Sequence, residues 1–229
     1  MRRLAVISDV HSNLEALRAV LKEVGEEDIY CLGDSVGYCA NPNEVLGLLR
    51  DRKVKTVMGN HDDAALTGET GWFNSRAAMA VLWTRRTLTE EGIEYLRRLP
   101  LDLRVEAEGV KTYMAHGSPD DRLREYVDPR THEDLFPHYL SKTGCRLIAL
   151  GHTHVPYEWR GEGGCVFNPG SVGQPRDGDP RAAFAFVSID GGRSSLEFRR
   201  VEYDVEGAAR KILDAGLPSQ LAERLRVGL

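Results

Sequence analysis

The chain is short of three things, and each shortage closes off a class of protein. It has only four cysteines (Cys31, Cys39, Cys145 and Cys165) and no CxxC pair. That speaks against a disulfide-stapled scaffold and a thiolate zinc module. No apolar stretch approaches the roughly 20 residues of a membrane-spanning helix, and the apolar run Leu4-Ala5-Val6-Ile7 is too short for the core of a secretory leader. Positive charge is not in excess: 30 Lys plus Arg stand against 35 Asp plus Glu, a net charge of -5. Proteins that live on nonspecific nucleic-acid binding are usually basic, so nucleic acid is a disfavoured partner. A polyanionic ligand would need a local positive source. Cys31, Cys145 and Cys165 lie in or beside apolar runs and read as buried, reduced thiols, which leads to the expectation of a cytoplasmic location. Cys39 sits beside a glycine-rich turn and has no assignable role.

What is present is an ordinary globular composition, 41% hydrophobic and 28% charged over 229 residues, with no repeat, low-complexity tract or linker. One domain, 1-229, is the expectation. The first half alternates strand and helix. Leu4 to Ser8, Ile29 to Leu32 and Val54 to Met58 read as strands. Between them lie a helix capped by Asn13, with Leu14, Leu17, Val20, Leu21 and Val24 on one face, and a helix opened by Asn41-Pro42. This β-α-β-α-β order implies parallel strands. Residues 74 to 99 read as two helical segments that pack against the sheet, with a lid over a substrate site as the sharper alternative. Thr131-His132-Glu133-Asp134 resembles a capping box that opens a helix. The second half is otherwise strand-rich. Asp204 caps a last helix, interrupted near Gly216-Leu217-Pro218.

The informative feature is the group of residues just past the end of each strand: Asp9-Val10-His11, Gly33-Asp34-Ser35-Val36-Gly37, Gly59-Asn60-His61-Asp62, His116-Gly117 and Gly151-His152-Thr153-His154. Any one of these alone reads as a plain turn. Five together place carboxylates, an amide and imidazoles at one rim of one sheet, and ligands of open α/β sheets gather at the carboxyl ends of strands. His152 and His154, on an extended segment, would point to one side. Oxygen and imidazole donors without thiolate suit Mn, Fe, Zn, Co or Ni.

The ordered set DVH, GDSVG, GNHD, HG and GHTH resembles the calcineurin-like metallophosphoesterases. More narrowly, it resembles their small YfcE-type, diadenosine-tetraphosphatase-like subgroup, as does the segment Asn168 to Arg176. The resemblance runs from residue 4 to about 190. It implies an α/β (α+β) fold, a two-sheet β-sandwich flanked by helices. It also implies two divalent metal ions, Mn foremost: Asp9, His11 and His154 on the first, and Asn60, His116 and His152 on the second. Asp34 would bridge them, one oxygen to each. His61 would be the proton donor to the leaving group, and Asp62 would orient His61 or serve only as a cap. Arg176 would clamp substrate. Arg122 and Arg124, shortly after His116-Gly117, read as surface charges, with a reach to substrate as the alternative.

The implied activity is hydrolysis of a small phosphate mono- or diester, nucleotides included, by attack of a metal-bridging hydroxide. Two divalent cations against Asp9, Asp34 and a hydroxide leave the cluster positive by about one unit, enough to draw phosphate into an acidic protein. The alternatives are a noncatalytic nucleotide-binding or scaffold module on the same fold, and a nuclease, for which no basic stripe is present. The oligomeric state is left open.

Overall fold

The computed structural model describes residues 1–229. The first half builds β1 (Arg2–Ile7), α1 (Leu14–Val24), β2 (Asp28–Cys31), α2 (Pro42–Asp51), β3 (Lys55–Thr56), α3 (Asn60–Thr67), α4 (Ser75–Thr87) and α5 (Glu90–Arg97). The second half adds β4 (Asp102–Ala107), β5 (Val110–Ala115), α6 (Pro129–His132), a 3-10 turn (Glu133–Leu135), α7 (Phe136–Thr143), β6 (Leu147–Leu150), β7 (Tyr157–Gly161), β8 (Gly164–Asn168), β9 (Ala182–Asp190), β10 (Arg193–Val201), α8 (Val205–Asp214) and α9 (Ser219–Val227).

Two mixed five-stranded sheets result, ordered β10-β9-β1-β2-β3 and β4-β5-β6-β8-β7. In the first, β1, β2 and β3 run parallel. In the second, β5, β6 and β8 do. The period-two alternation of strand side chains explains the layering. Leu4 and Val6 of β1 face the second sheet and pack in one core with Tyr30, Met114, Leu147, Ala149, Phe167 and Val187. Ala5 and Ile7 face the other way, into a core with Leu17, Val20 and Leu21 of α1 and Val45 and Leu49 of α2. On the far side of the second sheet, Ile148 and Val166 pack against Phe136, Tyr139 and Leu140 of α7. The molecule is therefore a sandwich of two sheets with helices outside both, as the resemblance implies.

Asn13 caps α1 through its side-chain oxygen, which accepts from Ala16 N (3.1 Å), a contact worth about 1 kcal/mol. Several expectations need correction. Asn41 makes no side-chain cap to the α2 backbone; its amide donates to Glu44 Oε1 instead (2.9 Å). Asp128, not Thr131, caps the helix that starts at Pro129, accepting from Arg130 N (2.9 Å). The third strand is only Lys55–Thr56; Val57 N still donates to Cys31 O (2.9 Å), but Met58 N donates to Pro100 O (2.8 Å), outside the sheet. The 74–99 segment packs mainly on helices: Ala77 and Ala80 of α4 meet Ala222 and Leu225 of α9, and Leu96 of α5 meets Val36 and Leu46. Tyr95 alone of α5 bonds to a strand, donating to Thr56 Oγ1 (3.1 Å). All four cysteines are free and buried, Cys39 within the core beneath α4, α8 and α9.

Candidate metal centre

The parallel strands β1, β2, β3, β5 and β6 all end at the same rim. Three belong to one sheet and two to the other. The seven candidate ligands thus meet across the top of the sandwich, not along one sheet as the sequence alone suggested. All seven are buried. Five of them (Asp9, His11, Asp34, His152 and His154) have positive φ, between 48° and 68°. The Gly151–His154 run is therefore a bend in which His152 and His154 take left-handed φ, not the extended segment expected. Non-glycine residues rarely take this conformation, and when they do it concentrates at functional sites.

Two nests of donor atoms form. In the first, His11 Nε2 and His154 Nε2 lie 3.1 Å apart, with Asp9 Oδ1 3.2 Å from His154 Nε2 and 3.8 Å from His11 Nε2. In the second, His116 Nε2 lies 3.0 Å from His152 Nδ1 and 2.8 Å from Asn60 Oδ1. Asp34 Oδ2 stands between the nests, 3.5 Å from His11 Nε2 and 3.4 Å from His116 Nε2. Its other oxygen accepts from the His61 backbone N–H (2.8 Å). One oxygen, not both, therefore faces the nests.

The outer nitrogen of each ring fixes its tautomer. A carbonyl oxygen only accepts, so each ring atom facing one must carry a proton. His11 Nδ1 donates to Val36 O (3.1 Å), His154 Nδ1 to Gln174 O (2.5 Å), His116 Nδ1 to Leu32 O (2.8 Å) and His152 Nε2 to Arg124 O (3.2 Å). In the neutral rings, the inward nitrogens are then bare lone pairs. In the first nest, His11 Nε2 and His154 Nε2 face each other at 3.1 Å as two such lone pairs, where no hydrogen bond can form; in the second, the inward nitrogens of His116 and His152 lie 3.0 Å apart, where a proton on His116 can be shared. Asp9 Oδ1 is likewise buried without a partner, while Asp9 Oδ2 is held by Ser8 Oγ (2.6 Å) and His152 N (3.2 Å). A cation would satisfy the unpartnered atoms of the first nest, and the O and N donors of both nests suit a divalent one.

The charges agree. Burial alone would raise Asp9, but His154, His116 and Ser8 hold it well below the usual carboxylate range. Burial likewise opposes ionisation of Asp34, and His116, His61 and His11 overcome it. Burial lowers His11 and His154, and it brings His152 to about 3. His116 departs from this pattern: despite burial, Asp34 and Asp9 raise it to about 9.

His61 lies beside the first nest. Its ring stands 4.8 Å from that of His11, 4.5 Å from Tyr38 and 4.7 Å from Phe73. Its Nδ1 is buried without a partner, and burial brings the ring down to about 4. Asp62 does not touch it. The Asp62 carboxylate accepts from Gly59 N (3.1 Å) and Val36 N (3.0 Å), closing a capping box on α3 and tying it to the loop after β2. The capping alternative is the one the geometry favours, because the side chain of a residue at this third helical position turns back to the helix N-terminus. Gly59 is required in that turn, since a Cβ there would overlap the Asp34 carboxylate. Arg176 is half-buried, its Nη2 3.3 Å from Tyr38 Oη and 3.3 Å from Gln174 Oε1. Arg122 pairs with Asp102 (3.1 Å). The aromatic groups around the centre (Tyr38, Phe73 and Tyr126) were missed. Tyr38 comes directly after the GDSVG motif, but no spacing marks the other two.

A fold of two mixed sheets with a ligand-bearing rim defines the metallophosphoesterase class. Residues 2–192 match the model of the calcineurin-like phosphoesterase superfamily domain, and the chain belongs to that family. It is 40% identical to the uncharacterized protein MJ0912 of Methanocaldococcus jannaschii, covering 98% of each chain. The crystal structure of a metallophosphoesterase from Sphaerobacter thermophilus is 36% identical with a TM-score of 0.85, over 100% of this chain and 99% of that one. Hypothetical protein PH1004 from Pyrococcus horikoshii shares the fold at a TM-score of 0.91 and 23% identity, over 100% and 99%. No helix is long and apolar enough to cross a membrane.

Proposed function

We propose that the protein hydrolyses a small phosphate ester using two divalent cations, one in each nest, with Asp34 shared between them. The observation that carries this reading is the convergence of buried O and N donors into two nests, with the opposed lone pairs of His11 and His154 beside the unpartnered Asp9 Oδ1 in the first, and His116, His152 and Asn60 in the second. When bound, a cation pair supplies Lewis acidity and lowers the pKa of a shared water. Mn is the proposed metal, with Fe, Zn, Co and Ni as chemically acceptable replacements.

The chain's own groups do the rest. The carbonyls of Val36, Leu32, Gln174 and Arg124 hold the four rings in the ligating tautomer. The packing of Tyr38, His11 and Phe73 fixes the His61 ring and keeps water from it. That ring is neutral in the pocket as it stands. A phosphoryl group brings negative charge beside it, which raises its pKa and lets it protonate the leaving oxygen. Arg176 balances the phosphoryl oxygens. We further propose that residues 1–229 act as one domain, since α8 and α9 pack beside α4 and the Tyr38-Cys39 loop. The free thiols fit a reducing, cytoplasmic setting.

The test is phosphate or nitrophenolate release from p-nitrophenyl and bis-p-nitrophenyl phosphate, with and without added Mn²⁺. Metal-dependent turnover is expected. Full metal occupancy with no hydrolysis of any ester would transfer the reading to a binding or scaffold module. A steep salt dependence of DNA binding would favour a nuclease.

A further inference from the structure

A cavity of about 670 Å³ opens beside the second nest. Its lining includes Tyr126, Pro129, Val155, Pro156, Tyr157 and Arg176. It adjoins the centre on two sides. Thr153, between His152 and His154, forms part of its wall, and Arg176 N donates to His154 O (3.4 Å). The Tyr126 ring stacks on the His152 imidazole with centroids 3.8 Å apart and planes at 30°. The side chain is still 51% exposed, so its other face is free. The charges in the wall are unequal. Asp128 pairs with Arg130 (2.5 Å) and Asp177 with Arg200. Arg176 has no carboxylate partner, and its Nε is buried with no hydrogen bond at all. The cavity thus offers one unneutralised guanidinium at the end nearest the centre and an aromatic and apolar wall beyond it. Its size is that of a small-molecule site.

We infer that this cavity receives the organic part of the phosphate ester, a planar group of nucleoside size stacked on the free face of Tyr126, while Arg176 holds a phosphoryl oxygen. This assignment rests on the phosphoesterase reading and narrows it. The substrate class is a nucleotide-like ester, not a phosphate of a small alcohol. Stacking on an aromatic side chain contributes about 1–3 kcal/mol per base, which corresponds to a selectivity of roughly 5- to 150-fold.

The test compares thymidine 5′-(p-nitrophenyl phosphate) with methyl p-nitrophenyl phosphate on the Mn²⁺-loaded protein. The expected result is a kcat/KM ratio of at least about 5 in favour of the nucleoside ester, carried mainly by KM. Tyr126→Ala, which removes the stacking face, and Pro129→Trp, which fills the cavity, should each bring that ratio close to one. Tyr126→Phe should retain it. A wild-type ratio near one, or a ratio unmoved in both Tyr126→Ala and Pro129→Trp, overturns the inference. If neither ester is hydrolysed, the phosphoesterase reading fails, and calorimetric binding of thymidine 5′-phosphate against methyl phosphate decides the cavity alone. Tighter binding of the nucleotide that Pro129→Trp removes upholds it. Equal binding of the two by wild-type protein overturns it.

Discussion

The two nests are built from the same kinds of residue but carry different charge. The first owns a carboxylate: Asp9 Oδ1 is buried, unpartnered and 3.2 Å from His154 Nε2. Both of its histidines are lowered by burial. The second has the neutral amide of Asn60 in the equivalent place, and its His116 is raised to about 9 by Asp34 and Asp9 in spite of burial. In the metal-free protein the second nest therefore holds a proton where the first offers a lone pair. A cation entering the first nest meets a ready anion. One entering the second must displace a proton first. The difference teaches that similar ligand sets need not bind alike, and that Asp34, common to both, is what couples them.

The largest expected effect breaks both nests at once. Asp34→Asn removes the shared anion, so metal content and turnover should fall together, with activity down by at least about 10³-fold if both cations are needed. Plasma emission spectroscopy alongside a bis-p-nitrophenyl phosphate assay checks this; unchanged stoichiometry would remove Asp34 from its shared position. Next in size is His61→Ala, which leaves all seven nest residues in place although a His61 ring nitrogen lies within 4.8 Å of the ligand atoms of His11 and Asp34. Metal content should stay, while kcat drops by roughly 10²–10⁴-fold, the usual contribution of a positioned acid. Full activity in that variant would end the proton-donor assignment.

A smaller effect separates the nests directly. Graded chelation of the metal-loaded protein should remove one equivalent well before the other. Asn60→Asp, which gives the second nest a carboxylate of its own, should bring the two steps together. Chelation in a single step from wild-type protein would mean the charge difference has no consequence for affinity. The mildest effect is on stability. His116 is raised in the folded protein above its unfolded value near 6.5. Its contribution is complete below pH 6.5 and is lost as pH rises toward about 9. Metal-free protein should therefore melt at progressively lower temperature across that window, and His116→Gln should flatten the trend. An upward slope in the wild type would contradict the proton assignment.

Much of this centre was legible in the sequence because strand ends in a parallel sheet project to one rim whatever lies between them. Asp9, Asp34, Asn60, His116 and His152 could be placed from that rule alone. Four things could not. That β5 and β6 belong to a second sheet requires knowing which face of β1 packs inward, and alternation alone does not say what lies opposite. The left-handed bend at His152 and His154 is imposed by tertiary contacts from remote segments: His152 N donates to Asp9 Oδ2, 143 residues away, and His154 Nδ1 to Gln174 O, 20 residues away. Asp62 sits next to His61 in sequence, yet the helix turns its carboxylate away to the Gly59 and Val36 amides. Phe73 and Tyr126 escaped notice because aromatic groups near a site carry no spacing of their own.

The most direct test is the electron paramagnetic resonance spectrum of the Mn²⁺-loaded protein together with its metal count. The account predicts two Mn²⁺ per chain and the multiline signal of a spin-coupled pair, with the coupling lost in Asp34→Asn. A single uncoupled ion per chain, or two ions whose signal is indifferent to Asp34→Asn, would contradict it.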